Sequence, residues 1–415
     1  MGVGLAGTLC SCGSPSSVPP AQTRVVLPSP SPAPVPTGPP SPAELTAAEH
    51  TAHLDSGDIK AHLRLADLYL RAGKQPEAAS TLRIIVRTQP RSAEAYRRLA
   101  ALYRAAGYPD REYEALRSLT ACDPNDWQST LRLADVALEQ RWFDIATPML
   151  AQAAHAAPRE PRVFIEQATS SFLLHDWPQM EISTRQGLKL APDNAELWVA
   201  LSDACRLQGR LPEAEQALRT AMAHTTAPTI TVRHNARLAH LLLEPGWKPA
   251  RTADAAQAAL TALQRSPEDV EARYWLARAQ ELQGQAAEAE TNYLRAAQQD
   301  IQFESLPFYL GNLDRRSSDP NKRREGERLL TLYQAASNNA SEFSHVGEIL
   351  RQKLNDPAAH RNMAGAYLKF GRVPQAIMEL HRALELNPRD TEARHRLGQT
   401  LRAEGRISEA KKYEH

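Results

Sequence analysis

The stretch CDPNDW, Cys122 to Trp127, sets a thiol, two carboxylates and an indole side by side. Such a set has the chemistry of a nucleophile, of an acid and base pair, or of metal ligands. Three other constellations raise the same question. His50 and His53 share a helical face with His62 following, His175-Asp176 stands beside Trp177 with Trp142 in the equivalent turn before, and Cys10 and Cys12 form a Cys-x-Cys pair. The cysteine pair has no further ligand nearby, and exposed histidines one helical turn apart are usually solvated. The two tryptophans read better as staples between neighbouring turns than as ligand platforms. No phosphate-binding glycine loop, dinucleotide fingerprint, zincin helix or nucleophile elbow accompanies any of them. The expectation is a chain that is not an enzyme, with no catalytic residue, no cofactor and no metal site, and the elements carrying these residues must explain their recurrence.

Composition narrows the classes. The chain has 415 residues, more than one ordinary globular core spans, so it is either several domains or an array whose core grows linearly. Its 49 basic and 48 acidic residues are mixed along the chain and leave a net charge of +1, which provides no field for tracking phosphates. Aromatics are 6%, too sparse for a base-stacking platform, so nucleic acid is not an expected partner. The four cysteines are too scattered for a disulfide framework, and Cys205 reads as a buried thiol.

The N-terminal segment differs from the rest. Residues 15 to 42 hold eleven prolines and one charge, a composition that neither forms a helix nor buries a core, so 13–42 reads as a disordered, polyproline-leaning tether. In front of it, 1–12 is short, small and apolar and ends in Leu9-Cys10-Ser11-Cys12. This resembles the end of a bacterial lipoprotein signal with Cys12 as the lipidated residue, although the basic start is missing and the apolar run is short. Two readings stay open: an envelope lipoprotein with a truncated signal, or a cytoplasmic chain with a floppy start. No stretch is long enough to span a membrane, so membrane association would come only through that lipid. A capping helix is expected over 43–58.

Beyond the tether the chain repeats itself. Pro90, Pro124, Pro158 and Pro192 are each 34 residues apart, and each opens the same kind of joint: QPRSAEAY, DPNDWQST, APREPRVF, APDNAELW, and later SPEDVEAR and NPRDTEAR. Proline cannot continue the helix before it, and the Ser, Asp or Asn that follows caps the next one. Counting from Ile59, position seven is Leu65, Leu99 and Leu133, and position eight is alanine in all three units. Glycine falls at position fifteen as Gly73, Gly107, Gly209, Gly284, Gly371 and Gly405, where a helix takes a left-handed C-terminal residue. Alanine recurs at position twenty and leucine or tyrosine at twenty-four, so each unit is two helices in close approach.

On these residues the chain resembles the tetratricopeptide repeat family. AYRRLAALYRAAG, LWVALSDACRLQGRLPEAEQAL and HRNMAGAYLKFGRVPQAIMELHRALELNP carry the family pattern best, while Glu112 and Met180 depart from it at position twenty. Eight units fit in register, from 59, 93, 127, 161, 195, 270, 357 and 391. The resemblance implies an all-α, right-handed α-solenoid of about nine to ten helix-turn-helix units. The expected organisation is five regular units over 59–228, a divergent unit with a long loop over 229–268, a unit over 269–300, a degenerate unit plus an extra helix near 341–354 within 301–356, and C-terminal units over 357–415, the last cut short. The loops at 244–252 and 314–325 read as relaxed punctuation or as a binding feature.

Family function comes from shape: the first helix of each unit lines a groove that takes a peptide or helix of a protein partner. Positions two, five, nine and twelve face that groove by family register. The resemblance therefore points to Leu63, Asp67, Leu70, Arg97, Arg104, Leu131, Asp135, Leu138, Ile165, Phe172, Val199, Asp203 and Arg206, an apolar strip with an aspartate in alternate units. Such a groove suits an apolar peptide with basic character, unless the strip is wound against itself or covered by the N-terminal helix. The Lys and Asn set with which chaperone-binding members hold a C-terminal carboxylate is not found in register. The chain is thus expected to be an interaction scaffold, or alternatively the regulatory or substrate-presenting subunit of a multiprotein enzyme or envelope assembly. No small-molecule substrate is indicated.

Overall fold

The computed structural model describes residues 38–413 apart from 56, 226, 248, 249, 301, 302 and 304. Cys12 and residues 13–37 of the expected tether lie outside the described residues; of its last residues, Gly38 accepts from Arg71 at 2.8 and 3.0 Å, Ser41 caps the first helix and Pro42 opens it. Among those described, every regular element is a helix. The chain divides into two compact units, one built from the segments 31–226 and 346–415 together, the other holding 227–345.

In the first unit a leading helix α1 (Pro42–Leu54) is followed by five helix pairs: α2 (Ile59–Arg71) with α3 (Gln75–Thr88), α4 (Ala93–Ala105) with α5 (Pro109–Cys122), α6 (Trp127–Glu139) with α7 (Phe143–Ala156), α8 (Pro161–Leu173) with α9 (Trp177–Leu190), and α10 (Ala195–Leu207) with α11 (Leu211–Ala223). The other unit contains α12 (Pro228–Leu242) and α13 (Thr252–Arg265), α14 (Val270–Leu282) and α15 (Ala286–Gln299), α16 (Leu306–Arg315), and the greater part of α17 (Pro320–Gln352). The C-terminal pairs, α18 (Pro357–Lys369) with α19 (Val373–Leu386) and α20 (Thr391–Ala403) with the short α21 (Ile407–Ala410), belong to the first unit.

The local rules act as the period requires. Asp58, Asp126, Asn194, Asp269 and Asp390 each cap the helix that follows, their side chains accepting from the backbone N–H three residues on. Alanines at positions eight and twenty, among them Ala66, Ala78, Ala134, Ala146, Ala214, Ala289 and Ala376, are wholly buried and let paired helices approach closely. The left-handed residue at position fifteen is present in every pair that keeps the turn, but in the third and fourth pairs it is not glycine. Arg141 has φ 60° and His175 φ 59°, beside the glycines' 70° to 81°. Where an extra helix was expected near 341–354, α17 runs unbroken through 33 residues. Its start crosses α16 at two glycines: a Cβ on Gly326 would stand 2.7 Å from both the Gly311 carbonyl oxygen and the Arg315 nitrogen.

Candidate partner-binding face and the buried junction

The joint that opened the question is mechanical. Cys122 sits in the last turn of α5, with its thiol 3.7 Å from the Pro90 carbonyl of the preceding joint. Asp126 caps α6, accepting from the Ser129 N–H at 3.1 Å, and Arg97 donates to its other oxygen at 2.8 and 3.1 Å. Burial opposes its ionisation, but Arg97 and the Ser129 donors outweigh it and hold the carboxyl below its usual range. The histidine trio does not converge on an ion. His50 and His53 are exposed on α1, while His62 is buried with Nδ1 2.9 Å from the Asp58 carbonyl. Among the described residues no group of three or more His, Cys, Asp or Glu is arranged to hold a metal, and no helix is long and apolar enough to cross a membrane.

The first-helix positions fall into three classes. On α2 and α4, Leu63 and Asp67 are half-buried, Leu70 is 38% exposed, and Arg97 and Arg104 are exposed. On α8 and α10, Ile165, Phe172, Val199, Asp203 and Arg206 are half-buried. On α6 the strip is closed: Leu131 and Asp135 are each 1% exposed and Leu138 3%, so in this structure these three are not open to a partner. The physical reason is that the chain covers itself there. Leu131 and Leu138 join one apolar cluster with Trp142 and Met378, against which Leu354 packs. The aspartates of alternate units are met by the chain's own arginines. Asp67 pairs with Arg98 of the next repeat, Asp135 lies 3.7 Å from Arg132, and Asp203 lies 3.8 Å from Arg206. Phe172 leans on Trp177 of its own repeat with ring centroids 5.7 Å apart.

What sequence reasoning missed is a junction inside the first unit. The C-terminal pair rests on the second and third repeats through α19 and α5. At its centre Trp142, buried in the α6–α7 turn, donates Nε1–H to Glu379 Oε1 at 3.0 Å, and His360 Nδ1 lies 2.6 Å from Glu379 Oε2. His360 Nε2 lies 2.9 Å from the Leu354 carbonyl, and Tyr113 of α5 meets Trp142 edge-on at 5.2 Å. Around this centre run Arg117–Glu385, Arg382–Asp144, Arg111–Glu409 and Arg406–Asp110, the last at 2.6 Å. One signal was available. Position four, aromatic in several units, is His360 here, and a titratable residue at a packing position asks for a buried partner.

Models of the tetratricopeptide repeat match residues 63–126, 183–228 and 248–303, and a second such model matches 357–400. No curated protein matches the sequence. Among solved structures, PilF of Pseudomonas aeruginosa aligns at 20% identity over 55% of this chain and 96% of its own, with a TM-score of 0.41. IFIT1, as a monomeric mutant with Gppp-AAAA, aligns at 17% identity over 90% of this chain and 94% of its own, with a TM-score of 0.42. MamA aligns at 14% identity over 39% of this chain and 94% of its own, with a TM-score of 0.37.

Proposed function

The chain is a tetratricopeptide repeat protein, and from that premise we propose that it is a non-enzymatic scaffold that binds a peptide or helix of a protein partner on its first-helix face. The observation that carries this reading is the half-buried apolar set Ile165, Phe172 and Val199 on α8 and α10. Repeat packing is already satisfied by residues such as Leu197, Leu201 and Ala168 on the same helices, which are buried. Phe172 also leans on the cluster of Ala168, Met180 and Ala204, whereas Ile165 and Val199, left half-buried on successive first helices, are what a bound apolar segment would cover. Arg206 and Asp203 at their edge give such a segment polar contacts at the rim. The α2 and α4 positions Leu63, Leu70, Arg97 and Arg104 extend the candidate surface.

Affinity capture with mass spectrometry identifies a partner, and the purified pair then tests the face. Ile165→Asp and Val199→Asp are expected to weaken binding at least tenfold while helical content stays constant. Binding unchanged in both variants refutes this face as the docking site.

A further inference from the structure

The junction between the C-terminal pair and the second and third repeats joins segments far apart in the chain. Neighbouring repeats also share arginine–carboxylate pairs, such as Arg98–Asp67 and Arg132–Glu112, but here four of them ring a small centre of Trp142, Met378, Tyr113, His360 and Glu379. Interfaces edged by charge are those between parts that separate more readily than a core does.

The hydrogen bonds at the centre fix its proton count. The Leu354 carbonyl only accepts, so His360 Nε2 carries a hydrogen. The 2.6 Å contact between His360 Nδ1 and Glu379 Oε2 then requires one proton between them, on either atom. Taking that proton away sets two lone pairs face to face, or moves the ring hydrogen and turns the Nε2 lone pair on the Leu354 carbonyl. Both groups are wholly buried, so no water relieves either arrangement. We propose that Trp142, Glu379, His360 and Leu354 form a one-proton latch: the shared proton holds the C-terminal pair closed on the second and third repeats, and its loss above neutral pH releases the pair and uncovers Tyr113 and Trp142.

The surroundings leave this proton as the one that changes near neutrality. Burial pushes the Glu379 carboxyl up, against the pull of His360, Trp142 and Arg382. Tyr367 on α18 and Tyr113 on α5 are pushed up by burial and stay neutral, and Arg141, Arg372 and Arg382 stay charged. Asp144 is the ion-pair partner of Arg382. His381, two residues further along α19 and edge-on to Tyr413, is pushed down by burial, so its ring charges below the window in question. In the open state the carboxyl is ionised above about pH 4.3 and an imidazole in water is neutral above about pH 6.5. Closure therefore takes up no net proton between those values and one proton above the higher. The sign is that of a raised folded-state affinity for a proton: closure is strongest below about pH 6.5 and weakens tenfold per pH unit above it.

Thiol labelling reads the opening directly. Met378 is buried at the junction, whereas Cys205 is buried within α10, away from it. Two chains are compared, one whose only cysteine is Met378→Cys and one whose only cysteine is Cys205, with rates corrected to those of the unfolded chains. Protection at 378 is expected to fall tenfold per pH unit between pH 7 and 9 while protection at 205 holds. Glu379→Gln, whose amide mimics the protonated carboxyl by accepting from Trp142 and donating to His360, is expected to remove the pH dependence. A flat profile at 378 in the Glu379-containing chain, or parallel loss at both cysteines, overturns the latch whether or not the glutamine variant folds. An unchanged slope in a folded glutamine variant overturns it as well.

Discussion

Arg141 and His175 occupy the left-handed position at which six other pairs place glycine. A side chain in that conformation costs about 1–2 kcal/mol through contact of its Cβ with the backbone. Glycine relieves that contact but loses more freedom on folding, about 0.5–1 kcal/mol. Arg141→Gly is thus expected to stabilise the array by about 0.5–1 kcal/mol. His175→Gly should gain less, because the imidazole stacks on Trp177 with centroids 5.3 Å apart and that contact is lost. The reciprocal change calibrates the argument. A Cβ at Gly107 would meet no atom within 4 Å, so Gly107→Ala carries the conformational cost alone and is expected to destabilise by about 1 kcal/mol. Urea denaturation followed by circular dichroism measures all three as midpoint shifts at constant slope. A destabilised Arg141→Gly together with a neutral Gly107→Ala would show that backbone strain is not what the turn residues decide.

Two further outcomes test the packing. Leu131→Ala, at a position nearly sealed from solvent, is expected to cost about 2–5 kcal/mol in thermal or urea denaturation, where an exposed groove residue would cost almost nothing. Asp126→Asn removes the carboxylate that Arg97 and the Ser129 N–H hold below its ordinary range. A depressed carboxyl contributes stability above its unfolded value, about pH 3.9, and loses it as pH falls through the lowered one, so the native chain should lose its advantage over the variant only in acid. Equal stability of the two at pH 7 would remove the Arg97 contact from the account.

How much was legible follows from which forces are local. The 34-residue period, the capping aspartates and the small residues at positions eight and twenty act within one unit or between neighbours. A single sequence therefore displays them, down to DPNDW as a joint in which Asn or Asp caps the next helix. The burial of Leu131 and Leu138 was not legible, because the cluster they join draws on other repeats and on the distant Met378 as well as on their own repeat. The same distance hid Trp142: its stapling role was readable, but its partner Glu379 lies 237 residues away. The unbroken α17 was obscured for a different reason. The polar run SNNASEF has little amphipathic pattern, so nothing in the sequence marked that one helix continues through it.

The first unit is written in two pieces of chain with some 120 residues of the other unit between them, and this has a consequence during synthesis. Asp110 and Arg406 are 296 residues apart. At roughly 5–20 residues per second, a ribosome needs on the order of 15–60 s to deliver the arginine after the aspartate has emerged. For that interval Tyr113 and Trp142 present an apolar face without the repeats that finally cover it. A nascent chain in this state offers a timed binding surface to chaperones, and an early stop codon between 346 and 360, ahead of His360, Met378 and Glu379, would make the transient exposure permanent.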